Sequence, residues 1–144
     1  MRTFPIILCT ALSTQAACMI FKLLFYSIKE KKVNIKYLFT AGGIPSAHTA
    51  LVVSLTTAVI LKTGINSNIT AVSFVFSAIV IYDAFRLRGA VQNHAKLLNR
   101  ITETYHPEIH QQLNDMLGHS IPEILWGFLF GVTIPILFSI IGII

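Results

Sequence analysis

The chain has 144 residues, 54% of them hydrophobic and only 12% charged, with a formal net charge of +5. Soluble domains carry about a quarter charged residues, so water is excluded as the solvent for most of this surface. A mean hydropathy of +0.72 and the absence of any Pro-, Gly- or Ser-rich linker describe a single-domain, all-α integral membrane protein. The basic residues flank apolar runs, where they set topology and meet anionic lipid head groups, which argues against nucleic acid as a partner.

A helix needs about 20 mostly apolar residues to cross the hydrocarbon core. Spans are predicted at about 4–28, 45–62, 66–86 and 121–144. The first begins like a signal peptide, and Ala16-Ala17-Cys18 resembles a lipoprotein cleavage site. Gln15 suits that site poorly, however, and apolar sequence resumes from Leu23 to Ile28, so the span is read as retained, with Lys22 snorkelling toward one end. Cys9 and Cys18 both lie in it; with no metal-type spacing and no disulfide framework, they are lipid-facing or packed thiols.

Orientation follows from the connections. Lys29, Lys31, Lys32 and Lys36 separate spans one and two, and Arg86, Arg88, Lys96 and Arg100 follow span three, whereas the connection between spans two and three has Lys62 alone. The positive-inside rule puts both basic connections in the cytoplasm and both termini outside, across a bacterial-type cytoplasmic membrane. Between spans three and four, Leu98, Ile101, Tyr105, Ile109, Leu113 and Met116 recur at three or four residues, interrupted by Pro107. The pattern predicts two short amphipathic helices on the bundle or membrane surface. Gly127 with Gly131, and Ala50 with Ser54 and Ala58, are small-residue steps suited to close helix contact. They are read as contacts within the chain, with homo-oligomerisation left open.

This topology gathers three polar clusters at one membrane face. Gly42-Gly43-Ile44-Pro45-Ser46-Ala47-His48 opens span two, Tyr82-Asp83-Ala84-Phe85-Arg86-Leu87-Arg88 closes span three, and Gly118-His119-Ser120-Ile121-Pro122-Glu123 opens span four. Ionisable groups at such depth usually face a polar cavity or one another. Each cluster has two readings. The Gly-Gly-Ile-Pro stretch is either a plain turn with Pro45 at a helix start or a set of exposed backbone N–H groups suited to phosphate. On a straight helix Asp83, Arg86, Ala90 and His94 share a stripe, giving an Asp83–Arg86 pair and leaving Arg88 elsewhere unless Gly89 breaks the helix. Ser120 and Glu123 form a capping box, yet one helical turn also brings Glu123 to His119, where a carboxylate raises basicity and fixes the ring tautomer.

These residues resemble the divergent branch of the type-2 phosphatidic acid phosphatase superfamily, related to vanadium haloperoxidases. Gly42 to Ala50 is similar to the branch's Gly-Gly-Met-Pro-Ser-Ser-His-Ser-Ala. Tyr82-Asp83-Ala84 through Arg88 to Leu98-Asn99 is similar to its second block, and Leu117-Gly118-His119-Ser120 with Glu123, Gly127 and Gly131 to its third. The resemblance implies metal-free, cofactor-free hydrolysis of phosphate esters, with His119 as nucleophile, Glu123 orienting it and His48 as general acid. It further implies phosphate binding by Lys36, Ser46 and Arg88, with Asp83 in the same group. The implied substrate is a phospholipid or polyprenyl phosphate at the cytoplasmic leaflet. Departures are plain: the wider family's Lys-x6-Arg-Pro block and its Ser-Arg pair before the nucleophile are absent, the usual Asp is Glu123, Ala47 replaces a glycine, and Gly89 and His94 replace a branch arginine and glutamine. The missing ligands keep a second reading open, a non-catalytic lipid-binding scaffold or small pore of the same fold. A metal site from His48, His119, Asp83 and Glu123 is the third, lacking any local His-x3-His spacing.

Overall fold

In the computed structural model, residues 5–39, 42–108 and 112–144 are described, the side chains of Lys36 and Phe39 excepted. Every regular element among them is helical. Helix α1 (Ile6–Glu30) starts after Pro5 and ends at Lys31, whose φ of 54° closes it in the left-handed region. A single turn, α2 (Lys36–Phe39), follows. Helix α3 (Ala47–Thr63) is capped by Ser46, whose side chain accepts from the Thr49 N–H at 3.4 Å, and stops at Gly64, φ +84°. Ser67 caps α4 (Asn68–Tyr82) through the Thr70 N–H at 3.2 Å. A π-helical turn over Asp83–Leu87 joins α4 to α5 (Arg88–Tyr105) as one continuous helix of 38 residues. Helix α6 (Ile121–Ile140) closes the described chain, with Glu123 reaching back to the Ser120 N–H at 3.4 Å.

The bundle is built around α3, which packs on α1, α4 and α6. At 17 residues it rises only about 26 Å, short of a ~30 Å hydrocarbon core; packed among α1, α6 and the continuous helix that α4 begins, it has little lipid to match. The packing inverts that of a soluble protein. The interior is small or hydroxylated (Thr10, Thr14, Cys18, Ala50, Ser54 and Ala58 are at most 1% exposed), whereas Phe74, Val75, Ile79, Leu125 and Leu137 point outward. Lipid offers apolar side chains as good an environment as a core does, so close backbone approach and interhelical hydrogen bonds hold such helices together. Thr56 and Ser77 meet across α3 and α4 at 2.7 Å, and Ser77 donates to the Val52 carbonyl at 2.9 Å. A Cβ on Gly127 would lie 2.4 Å from the Ser46 carbonyl oxygen, and one on Gly131 2.7 Å from Val53 Cβ. The small-residue steps therefore serve contact between α6 and α3 within one chain.

Two sequence expectations change. Lys22 does not snorkel outward: it shares an inward stripe of α1 with Thr10, Thr14 and Cys18, spaced four apart, and is 2% exposed. The two interfacial helices after span three are one, α5, running on from α4; residues 112–118 are not helical, and Ile109 lies outside the described residues. Asn99 explains why no second helix is needed there. Its side chain donates to the Leu113 carbonyl at 2.9 Å and accepts from the Leu113 N–H at 2.8 Å, satisfying the backbone of Leu113 outside any helix.

Candidate functional site

The three polar clusters meet at one end of the bundle, stitched by the backbone. The Gly42 N–H donates to the Met116 carbonyl (3.1 Å), the Ser46 N–H to that of Glu123 (3.0 Å), and the His119 N–H to that of Ala84 (3.2 Å). The start of α3, the end of α4 and the start of α6 are thus locked to each other through groups that carry no side-chain identity. Gly118 fits between them because it lies against Gly89: a Cβ there would be 2.8 Å from Gly89 Cα, and its N–H donates to Gln92 Oε1 at 2.9 Å.

At the centre, His119 Nδ1 lies 2.8 Å from Glu123 Oε2. The same carboxylate oxygen accepts the N–H of Gly43 at 3.1 Å and of Ser120 at 3.4 Å. An ionised carboxylate only accepts, so Nδ1 of His119 carries a proton and donates to it, and Nε2 is the ring nitrogen that Glu123 does not engage. That Nε2 is buried and, among the described residues, has no hydrogen-bond partner; neither has the buried Nδ1 of His48. The two imidazoles stand edge to face with centroids 6.2 Å apart. Glu123 is at once a helix cap and the partner of His119; the two readings of this residue were not alternatives.

Arg88 and Asp83 also lie within electrostatic reach of His48. Arg88 Nε donates to Asp83 Oδ2 at 2.7 Å, both side chains about two-fifths exposed. The π turn corrects the straight-helix stripe: an i→i+5 turn brings residues five apart into line, so Asp83 pairs with Arg88 instead of Arg86. Arg86 instead lines a cleft of about 1030 Å³, together with Lys96, Gln92, Asn93, His119 and Glu123. His48, Ser46, Asp83 and Arg88 are not part of that wall. Tyr82 and Phe85 belong both to the cleft and to an apolar groove of about 760 Å³ bounded by α3, α4 and α6.

Other expectations fare differently. The backbone N–H groups of the Gly-Gly-Ile-Pro stretch are engaged, not exposed: Gly42 to Met116, Gly43 to Glu123, Ile44 to the Tyr26 hydroxyl at 3.3 Å and Ser46 to Glu123. The Lys36 side chain lies outside the described residues. No group of three or more His, Cys, Asp or Glu side chains converges as a metal site among the described residues. Sequence reasoning missed Lys22, whose Nζ donates to the Gly42 carbonyl at 2.7 Å, as well as Lys96, Gln92 and Tyr26. A lysine on the same helical stripe as Thr14 and Cys18 was the available signal.

A family model described as the Divergent PAP2 family matches residues 5–134. The chain is also 25% identical over 150 residues to the uncharacterized membrane protein YuiD of Bacillus subtilis (strain 168), covering 94% of each chain. No solved structure matches.

Proposed function

This chain belongs to the divergent PAP2 family, and from that premise we propose that it is a membrane phosphatase hydrolysing a lipid phosphate monoester or pyrophosphate. The observation that carries the reading is the Glu123–His119 pair, with an Nε2 that has no hydrogen-bond partner among the described residues and a second histidine, His48, beside it, 6.2 Å between ring centroids. His119 Nε2 attacks phosphorus as the bond to the leaving oxygen breaks, and His48 protonates that oxygen. Water then attacks the phosphohistidine, giving a proton to His48 and releasing phosphate and free His119. Glu123 stabilises the imidazolium that develops at His119. Arg88, with Arg86 and Lys96 on the cleft wall, supplies positive charge around the equatorial oxygens; Lys36 and Ser46 complete the proposed phosphate-binding group, with Asp83 holding Arg88. The His119 side chain is 0% exposed, so a substrate reaches it only when the packing around it opens.

The groove that shares Tyr82 and Phe85 with the cleft supports a lipid: a hydrocarbon chain lies in the groove while its head group reaches the cleft. The basic connections support a cytoplasmic site, with both termini outside, in a bacterial-type cytoplasmic membrane. Membrane lipids are the partners this implies.

A second reading, a non-catalytic lipid-binding scaffold or pore, draws on the engaged loop N–H groups and the sealed imidazole. One experiment separates the two: phosphate release by purified protein from phosphatidate, phosphatidylglycerophosphate and polyprenyl phosphates, wild type against His119→Ala. Release that depends on His119 supports the phosphatase; equal background rates with every lipid support the scaffold.

A further inference from the structure

Lys22 stands within a transmembrane helix, two turns from its C-terminal end, and is 2% exposed, where an ionisable group is costly and usually functional. Its neighbours say what it does. Nζ donates to the carbonyl oxygen of Gly42 at 2.7 Å. The N–H of the same peptide unit, that of Gly43, donates to Glu123 Oε2 at 3.1 Å, and that oxygen holds His119 Nδ1 at 2.8 Å. Lys22 also lies within electrostatic reach of both Glu123 and His48. A single peptide plane therefore joins a buried cation on α1 to the carboxylate on α6, with its oxygen end toward the ammonium and its hydrogen end toward the carboxylate.

That plane lies between two glycines, and Gly43 adopts φ +101°, a region glycine enters without steric cost. Such a peptide has little of its own to keep it from turning over, and a flip would aim the carbonyl at Glu123. We propose that Lys22 is a positioning residue for the proposed phosphatase reaction: by holding the Gly42–Gly43 peptide it fixes Glu123, and through Glu123 the Nδ1-protonated form of His119. The inference rests on the histidine-nucleophile reading for its kinetic consequence, though not for its structural one. It also assigns a purpose to the paired glycines that phosphate binding by exposed N–H groups does not, since those N–H groups are already engaged.

The test uses full-length protein in nanodiscs with ¹⁵N-labelled histidine. The His119 Nδ1–H proton, assigned by its disappearance in His119→Asn, is expected as a downfield, exchange-protected resonance in wild type. It is expected to persist in Lys22→Arg, which keeps charge and donors, and to be lost in Lys22→Met. If Lys22→Met does not fold, Lys22→Gln, neutral and one bond shorter, is compared in its place with the same loss expected. In turnover, Lys22→Met should lower kcat by about tenfold with little change in KM. Added to Glu123→Gln it should cost almost nothing more, because the two act in one chain. A retained resonance in the neutral variant, or full additivity with Glu123→Gln, overturns the proposal. Absence of turnover in wild type with every lipid phosphate overturns the phosphatase reading instead, and leaves the resonance to decide the role of Lys22.

Discussion

Asp83 and Arg88 are ion-paired at 2.7 Å across five residues, a separation that a straight α-helix would place on different faces. The π turn rotates everything after Leu87 relative to α4 and so puts Arg88 within electrostatic reach of His48. Both side chains are more than a third exposed, so the pair is worth roughly 0–1 kcal/mol to folding. Arg88→Ala is accordingly expected to leave thermal stability near wild type while raising KM for a lipid phosphate on the order of tenfold, the loss of one charge-assisted contact. An unchanged KM would remove Arg88 from the phosphate site.

Glu123→Gln keeps an acceptor for the helix cap and removes the charge beside His119. Turnover is expected to fall on the order of 10²-fold or more, the scale of a positioned acid–base group, with expression and melting temperature close to wild type. His119→Ala should abolish turnover, and His48→Ala should be milder for substrates with good leaving groups. Steady-state kinetics on the lipid panel reads all three; a wild-type rate in His119→Ala sinks the nucleophile assignment.

Gly127→Ala places a methyl where the Ser46 carbonyl oxygen is only 2.4 Å away, and a backbone atom cannot step aside. The cost is expected at about 1–3 kcal/mol, as for other overpacked contacts, with activity lost because Ser46 and Glu123 are joined there. Gly89→Ala meets nothing within 4 Å and should be tolerated. Thermal unfolding in detergent compares them; equal melting temperatures would contradict the packing.

Vanadate mimics pentacoordinate phosphorus and is expected to inhibit, while chelators should leave turnover unchanged. Loss of activity in EDTA with rescue by zinc would favour metal-assisted hydrolysis instead.

Single cysteines at Lys31 and Arg100 are expected to resist impermeant labelling in intact cells and to react after permeabilisation, since both lie in basic connections. Rapid labelling at position 31 from outside would invert the topology.

The pairing of His119 with Glu123 was legible beforehand because the two residues are four apart at a helix start, where spacing keeps them close, although His119 itself stands just before the Ser120 cap of α6. The helical spans were legible for a similar reason: a bilayer demands about 20 apolar residues in a row, so composition along the chain writes them directly. The meeting of the three clusters at one end followed from counting crossings. Local periodicity could not show the π turn, because nothing in the run from Asp83 to Leu87 distinguishes it from an ordinary helix; its i→i+5 pairing appears only when the helix is seen folded. Nor could it give Lys22 its place, for a lysine four residues after Cys18 serves equally well snorkelling to a head group. That choice was made by the Gly42 carbonyl, twenty positions away, and by Glu123 beyond it. Covalent spacing determines which residues share a turn or a face; which buried charges find one another depends on how separate helices pack, and a cation inside a membrane protein goes where a partner has already been assembled.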